Sequence, residues 1–195
     1  MRIIIFGAGG QLGGAVCARK HCVENTFQIE RVQFDIVELK DIRLDAICKN
    51  VYNIAINLAA ITNVDSCEND EFHSFEVNAL GPKYLAENVA RRGGTLLHVS
   101  TDYVFSGTDP APRKETDPVC PINAYGRTKW AGEVFVRALC PKHFIVRTAW
   151  LYGLHGKNFV KTILKKARET GRISVVADQY GSPTFANDLA EAILQ

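Results

Sequence analysis

The chain has 195 residues, of which 47% are hydrophobic and 23% charged, so it can bury a complete hydrophobic core. The formal net charge of +2, without a long basic block, gives no electrostatic case for nucleic acid or an anionic membrane as a partner. No apolar run is long enough for a membrane span and no leader pattern opens the chain, so we expect a cytoplasmic protein.

The cysteines give no sign of a metal site or of a disulfide framework. They are scattered along the chain, without a C-x-x-C pair or a histidine-rich segment beside them. We therefore expect reduced, buried thiols and no bound metal. The six positions are Cys17, Cys22, Cys48, Cys67, Cys120 and Cys140.

The N-terminal segment predicts a strand, a glycine turn and a helix. Ile3 to Phe6 is an apolar run of the kind found in buried strands, and a helical pattern follows through Leu12, Val16 and Lys20. Between them, Gly7, Gly10 and Gly13 have the spacing of a dinucleotide-binding turn. A plain structural turn is the alternative interpretation, but the position between strand and helix favours nucleotide binding.

The next two predicted strands end in residues suited to the same ligand. Phe27 to Phe34 is followed by Asp35, at the distance from the glycine turn expected of an acid that binds the adenosine ribose. An acid there favours NADH over NADPH, and no arginine directly follows to bind a 2′-phosphate. A loop-capping carboxylate is the alternative role. Ile54 to Leu58 runs into the small residues Ala59 and Ala60, which leave room for a cofactor.

The middle of the chain predicts a broken helix, a strand and a long loop. A helical region from Glu68 to Arg92 is interrupted around Asn78, Gly81 and Pro82, which predicts two pieces or a kink. Thr95 to Ser100 is a strand in which His98 is expected to be a core residue. The proline-containing loop from Ser106 to Ile122 is long enough to suggest a function, and it leads to a helix over Asn123 to Leu139.

The last third predicts further alternation of strands and helices. His143 to Thr148 and Ile173 to Val176 have the composition of strands, and a final helix begins near Asn187. Strands alternating with helices predict an α/β fold with a Rossmann-like, doubly wound parallel sheet and helices on both faces. Between these strands, an amphipathic helix is predicted from Asn158 to Thr170 with its apolar side chains facing inward, namely Phe159, Ile163 and Leu164.

One constellation has the chemistry of a proton-relay site. Tyr125 and Lys129 are four residues apart on a helix, so the ammonium is expected to lower the pKa of the phenol. Thr101, at the end of the fourth strand, can hydrogen-bond the same substrate oxygen. An exposed tyrosine–lysine pair is the alternative interpretation of the spacing alone, but the glycine turn and the strand-end hydroxyls favour catalysis.

Several segments together resemble the extended short-chain dehydrogenase/reductases, and most closely the dTDP-4-dehydrorhamnose reductases. The resemblance extends along essentially the whole chain. Its segments are Gly7–Gly13 (GAGGQLG), Asn57–Asp65 (NLAAITNVD), Ser100–Gly107 (STDYVFSG), Tyr125–Glu133 (YGRTKWAGE), Arg147–Gly153 (RTAWLYG), Gly156–Thr162 (GKNFVKT) and Asp178–Thr184 (DQYGSPT).

The resemblance implies reduction of the keto group of dTDP-4-dehydro-L-rhamnose by NADH or NADPH, with NADH slightly favoured by Asp35. It implies Thr101, Tyr125 and Lys129 as the catalytic set, and a nucleotide sugar held by Thr101, Asp102 and Trp150. The positions matching the family's dinucleotide-binding segments are Gly10, Gln11 and Leu12, then Asp35, Asp41 and Ile42, then Ala59, Ala60 and Ile61.

Two departures from the family pattern limit what is carried over. Some members form a dimer through magnesium bound partly by a glutamate, but the matching position here is Ala15, so no such metal is expected; the chain is a monomer or a homodimer. Members also continue past Asp178–Thr184 into a substrate-binding lobe. We expect residues 1–195 to form the dinucleotide-binding domain, with only the beginning of that lobe from about residue 178.

Two other functions are compatible with parts of the pattern. One is a non-catalytic regulatory subunit resembling the methionine adenosyltransferase β subunit, although Thr101, Tyr125 and Lys129 are all present here. The other is an epimerase or dehydratase of a nucleotide sugar, but the segments around Thr101 and Asp178 favour the reductase.

Overall fold

The structure is a computed structural model that describes residues 1–19, 28–41, 43–48 and 52–195. Its main sheet has five strands, all parallel, in the order β2-β1-β3-β4-β5, and a two-stranded parallel sheet pairs β6 with β7. The strands are β1 (Arg2–Phe6), β2 (Gln28–Val32), β3 (Ile54–Asn57), β4 (Thr95–Thr101), β5 (His143–Thr148), β6 (Leu151–Tyr152) and β7 (Thr184–Phe185).

The helices alternate with the strands, which confirms the predicted α/β class. Two 3₁₀ turns, Ile36–Lys40 and Asp102–Val104, follow β2 and β4. Lys20, in the predicted first helix, and Phe27, the predicted start of the second strand, lie outside the described residues. The helices are α1 (Gln11–Ala18), α2 (Leu44–Ile47), α3 (Val64–Asn69), α4 (Glu71–Phe75), α5 (Gly81–Arg91), α6 (Ala124–Leu139), α7 (Phe159–Thr170) and α8 (Ala186–Leu194).

Each face of the main sheet has its own apolar core, as strands with alternating inward side chains require. On one face, Ile4 and Phe6 of β1 pack with residues of α5 and α6. On the other, Ile3 and Ile5 pack with α1 and α8, so α8 covers the main sheet. The order of the strands reverses direction at β1 and β3, and open α/β sheets bind ligands outside the strand ends at such a point.

The glycine turn depends on close backbone approaches that only glycine permits. Gly7 has φ +76°, and a Cβ there would lie 2.5 Å from the backbone nitrogen of Ala59. A Cβ at Gly13 would lie 2.3 Å from the carbonyl oxygen of Gly7, which packs the start of α1 against the turn. The end of β1, the start of α1 and the end of β3 are therefore held together at the edge where the sequence predicts a nucleotide.

The predicted interruption of the long helical region is confirmed as a π-helical turn, Glu76–Leu80, between α4 and α5. Asn78 within it accepts a hydrogen bond from the backbone N–H of Ile61 at 2.9 Å and donates to the Ile61 carbonyl at 3.0 Å. Pro82 lies in the first turn of α5, where a missing N–H costs nothing. The irregular turn thus anchors the loop after β3.

The prediction of buried thiols holds for four of the five cysteines in the described ranges. Cys17, Cys48, Cys67 and Cys140 are buried, but Cys120 is exposed because it lies in the long loop before α6. Cys22 lies outside the described residues. Among the helices that the structure describes, none is both long and apolar enough to cross a membrane.

Two predictions for the last third of the chain are wrong. The apolar side chains of α7 do not face inward: Phe159 and Leu164 are exposed, and Ile163 is only partly buried. Ile173–Val176 is fully described but has no strand conformation, and its apolar side chains are exposed. The helical pattern correctly predicted an amphipathic helix, but a period does not specify whether a neighbouring element covers its apolar face.

Candidate active site

A groove crosses the carboxyl ends of the main strands and is formed by two adjoining cavities. The first, of about 580 Å³, lies over β1, β2 and β3. The second, of about 660 Å³, lies over β1, β4 and the start of α6. They share the residues Gly9, Gly10, Leu58 and Ala60, so one elongated ligand can occupy both.

The groove collects most of the residues singled out in the sequence. The first cavity is lined by Gly7, Gly10, Asp35, Ala59 and Ala60. Asp41 and Ile61 line neither cavity, and Ile42 lies outside the described residues, so their assignments stay predictions. The second cavity is lined by Gly10, Gln11, Leu12, Gly13, Ala60, Thr101, Asp102, Tyr125, Lys129 and Trp150.

Thr101 and Tyr125 converge because α6 begins directly against the turn that follows β4. Asn123 caps α6 by accepting a hydrogen bond from the Gly126 N–H at 2.8 Å. A Cβ at Gly126 would lie 2.2 Å from the carbonyl oxygen of Tyr103, so the helix can approach this turn only because the residue is glycine. The Thr101 hydroxyl donates to Asp102 at 3.1 Å and accepts from the Tyr103 N–H at 3.2 Å.

The pKa of the Tyr125 phenol contradicts the expectation from spacing. Burial raises this pKa to about 12, a hydrogen bond to Thr101 lowers it, and the nearby Asp102 carboxylate raises it further. Tyr125 is consequently a protonated phenol at neutral pH, suited to donate a proton to a substrate oxygen that gains charge.

Lys129 is directed along β4, where its side chain is buried although it still lines the second cavity. Its side chain is 2% exposed, and its Nζ donates to the Val99 carbonyl at 2.8 Å and lies 3.5 Å from Nε2 of His98. Burial lowers the pKa of Lys129 from 10.5 to about 8, while the Glu133 carboxylate acts in the opposite direction. His98 is buried, as expected of a core residue, but its ring contacts the predicted catalytic lysine.

This lowered pKa has a consequence for stability. Between pH 8 and 10.5 the unfolded chain binds a proton at Lys129 that the folded chain releases, so wild-type stability rises with pH across that window. Near pH 7 we expect Lys129→Met to be more stable than wild type, by up to about 3 kcal/mol, because no charge is then buried. Urea unfolding of both proteins should show the difference shrinking from pH 8 to 10.5. A difference in unfolding free energy that stays constant with pH would contradict the lowered pKa of Lys129.

A buried ion cluster fixes α6 on the sheet one turn beyond Lys129. Glu133 is fully buried and accepts two hydrogen bonds from Arg147 of β5, at 2.9 and 2.7 Å, and one from Arg137 at 3.1 Å. Burial raises the pKa of the Glu133 carboxyl, but hydrogen bonds, first of all from Arg147, outweigh that effect and hold the pKa below its usual range. The paired charges keep the helix, and so the tyrosine, in register with the strand ends.

Trp150 and Gln11 line the second cavity and connect the segment after β5 to the rest of the groove. Trp150 has φ +46°, a left-handed conformation that is unusual for a bulky residue and typical of functional sites. Its indole is 45% exposed and lies against Gly181, where a Cβ would be 2.8 Å away. The Gln11 side chain donates to the Leu151 carbonyl at 2.8 Å and accepts from Asn158 at 2.8 Å, tying the segment after β5 to the glycine turn.

Sequence reasoning missed several residues that line the groove. Arg31 and His73 are part of the first cavity, and Lys157 is part of the second. Arg31 lies on β2, four residues before Asp35, and both residues line the first cavity, so the absence of an arginine directly after the acid did not exclude a cation in the same cavity. The available signal was a basic residue close before Asp35, in the strand that leads to the groove.

The comparison with protein families decides the relationship. The model of the RmlD substrate binding domain matches residues 1–195. The chain belongs to this family. Among relatives of this RmlD-family chain, the dTDP-4-dehydrorhamnose reductase of Aggregatibacter actinomycetemcomitans is 41% identical over 100% of the chain and 66% of that protein. The enzyme of that name from Mycobacterium tuberculosis (strain CDC 1551 / Oshkosh) is 43% identical over 99% of the chain and 64% of that protein.

Solved structures confirm the fold of the RmlD-family chain. The dTDP-4-dehydrorhamnose reductase from Bacillus anthracis str. Ames, in complex with NADP, has a TM-score of 0.90 at 40% identity, over 99% of this chain and 69% of that one. The corresponding protein from Clostridium acetobutylicum ATCC 824 has a TM-score of 0.87 at 40% identity, over 100% and 69%. The chain spans about two thirds of the length of the relatives that it matches.

Proposed function

We propose that the chain is the cofactor-binding and catalytic part of an NAD(P)H-dependent reductase that converts dTDP-4-dehydro-L-rhamnose to dTDP-L-rhamnose. The observation that carries the proposal is the convergence of Thr101, Tyr125 and Lys129 in one cavity that continues into the groove beside the glycine turn. Relatives about 40% identical are named for this reductase. A purely regulatory, binding role would not need these three groups together.

The residues present fit a dinucleotide. A side chain at Gly7 or Gly13 would collide with backbone, so the turn keeps its surface free for a close ligand. The Gly10 cap of α1 has no side-chain hydrogen bond, and the first turn of α1 has no acid to repel a pyrophosphate. Asp35 lies at the far end of the same cavity, where a ribose hydroxyl would lie.

The residues that line the second cavity would each have a separate role in the reduction. A nicotinamide held in this groove would supply the hydride for the keto carbon. Tyr125 gives its phenolic proton to the keto oxygen, and the Thr101 hydroxyl holds the same oxygen, so the products are an alcohol and a phenolate that is reprotonated from water. Lys129 holds the ribose hydroxyls. Asp102, whose pKa is raised by burial, and the exposed Trp150 hold the sugar.

The direct test is turnover by the 195-residue chain itself. We expect loss of reduced-nicotinamide absorbance when NADPH and dTDP-4-dehydro-L-rhamnose are both present, with dTDP-L-rhamnose as the product by mass spectrometry. Binding of NADPH by calorimetry is measured in parallel. Binding without any turnover would favour the regulatory reading, and absence of binding would contradict the proposal as a whole.

Cofactor preference is set, in this proposal, by two residues of the first cavity. Asp35 accepts from the Val37 N–H at 3.0 Å through one carboxylate oxygen, as the alternative capping role requires, and a carboxylate has further lone pairs for a ribose hydroxyl. We expect Asp35→Ala to weaken NADH roughly tenfold, about the value of one charge-assisted hydrogen bond, and NADPH less.

Arg31→Ala is the matched variant and should have the opposite selectivity, since a guanidinium in this cavity favours the 2′-phosphate of NADPH. Dissociation constants of both cofactors, measured by calorimetry for both variants, give the comparison. Equal losses of affinity for NADH and NADPH in Asp35→Ala would contradict the proposed contact between Asp35 and the ribose.

A further inference from the structure

His98 connects the cofactor groove to Lys129 through a buried chain of hydrogen bonds. Nδ1 of its ring lies 3.0 Å from the side-chain nitrogen of Asn57, and Nε2 lies 3.5 Å from Nζ of Lys129. His98 and Asn57 are almost fully buried, so no water competes for these contacts. The next residue along the chain of bonds is Ala59, which lines the first cavity.

The hydrogen bonds assign the tautomer of His98. The backbone N–H of Ala59 donates to Oδ1 of Asn57 at 3.1 Å, which fixes the orientation of the amide. The amide nitrogen of Asn57 can then only donate, so Nδ1 of His98 accepts. Burial and, second, the charge of Lys129 hold the pKa of His98 well below its usual value. A neutral ring with Nδ1 accepting has its hydrogen on Nε2, which faces Lys129.

This arrangement disfavours the charged form of Lys129. An ammonium group has only donors, and the Val99 carbonyl is the acceptor that it reaches at 2.8 Å, whereas the Nε2–H of His98 presents a second donor. A neutral amine has a lone pair that can accept from that N–H. We propose that His98, held in the Nε2–H tautomer by Asn57, is a positioning residue that favours the neutral amine of Lys129 and keeps its nitrogen against β4.

The other charges around Lys129 do not produce the same effect. Glu133, one turn later on α6, favours the ammonium, but its carboxylate is already bound by Arg147 and Arg137. From β4, His98 is the titratable group in contact, and on α6 itself Tyr125 is a neutral phenol. The inference deepens the proposed function, because it rests on Lys129 being part of the catalytic set. Its test reads the state of Lys129 without requiring turnover.

The first test is the tautomer of His98 in the wild-type chain. Two-bond ¹H–¹⁵N spectra of a uniformly labelled sample distinguish a protonated from an unprotonated ring nitrogen. We expect an unprotonated Nδ1 and a protonated Nε2 throughout the neutral pH range. Observation of the Nδ1–H tautomer, or of an imidazolium ion, would overturn the proposal without any substitution being made.

The second test reverses the tautomer. Aspartate at position 57 can accept from both the Ala59 N–H and the Nδ1–H of His98, which leaves Nε2 free to accept from Lys129. We expect Asn57→Asp to raise the titration midpoint of Lys129, followed by the ¹³Cε shift against pH, by about one unit, a tenfold change in protonation. The Lys129 signal is assigned by its loss in Lys129→Met. An unchanged midpoint would overturn the proposal.

Two further variants distinguish an effect that is transmitted through the His98 ring from a direct effect of the added charge on Lys129. In a His98→Leu background, Asn57→Asp should shift the Lys129 midpoint by less than a third as much, because the ring that transmits the change is absent. Asn88→Asp introduces the same charge at another buried asparagine, which bonds the Leu44 N–H, and should leave the midpoint unchanged. If Asn57→Asp shifts the Lys129 midpoint equally with and without His98, the added charge acts directly on Lys129. That result would contradict transmission through the His98 ring.

Discussion

Tyr125→Phe is expected to lower substrate-dependent oxidation of NADPH by roughly 10²- to 10⁴-fold, the range for removal of a positioned general acid. The substitution removes only the hydroxyl and keeps the ring that packs edge-on against Tyr103, with 5.6 Å between ring centres. Burial holds the pKa of Tyr125 near 12, so the group is in its proton-donating form at neutral pH. The dissociation constant of NADPH should change little.

Tyr103→Phe is the matched control, because it removes the other phenol that lines the same cavity. Tyr103 reaches Thr101 through its backbone N–H rather than its hydroxyl, and we expect less than a tenfold loss of kcat. The measurement is single-turnover oxidation of NADPH by each variant at saturating substrate. Equal losses in the two variants, or full activity in Tyr125→Phe, would contradict the role given to Tyr125.

Gly13→Ala is expected to destabilise the fold by about 3 kcal/mol or more, the upper range for overpacking against backbone. The new Cβ would lie 2.3 Å from the Gly7 carbonyl oxygen and 2.6 Å from Cα of Ala8, and no side-chain rotation relieves a contact between backbone atoms. Either α1 moves away from the turn or the turn opens. Urea-induced unfolding of both proteins measures the difference.

Gly9→Ala tests whether the effect belongs to the close approach rather than to the loss of any glycine from the turn. A Cβ at Gly9 has no atom within 4 Å and the residue does not have a positive φ, so we expect a change within about 0.5 kcal/mol. NADPH binding should fall in Gly13→Ala together with the stability of the turn. Similar stability of the two variants would show that the turn tolerates a side chain where the structure leaves no space.

The fold was predictable where each element has a local signal that its neighbours do not override. The apolar runs at β1, β3 and β4 predict buried parallel strands, and the glycine turn predicts which strand end receives a ligand. The break at Asn78 and Pro82 was also visible in the sequence, although its form was not. A π-helical turn requires the contact between Asn78 and Ile61, which joins positions 17 residues apart.

The spacing of Tyr125 and Lys129 predicted the members of the site but not the direction of their side chains. Residues four apart share a helix face, yet the lysine reaches into the core toward Val99 and His98 and leaves the phenol's pKa to be set by burial. Burial depends on which elements pack around α6, and no local pattern encodes that. In the same way, the helical pattern of α7 predicted an apolar face, but it could not show whether another element covers that face.

The proposed reductase site is tested most directly by the transfer of deuterium from NADPH that is deuterated at both C4 positions of the nicotinamide. We expect dTDP-L-rhamnose that carries one deuterium at the former keto carbon, with its hydroxyl proton taken from solvent, when the 195-residue chain is incubated with dTDP-4-dehydro-L-rhamnose. Product without deuterium, or unchanged substrate in the presence of bound NADPH, would contradict the assignment of Thr101, Tyr125 and Lys129 as a reductase site.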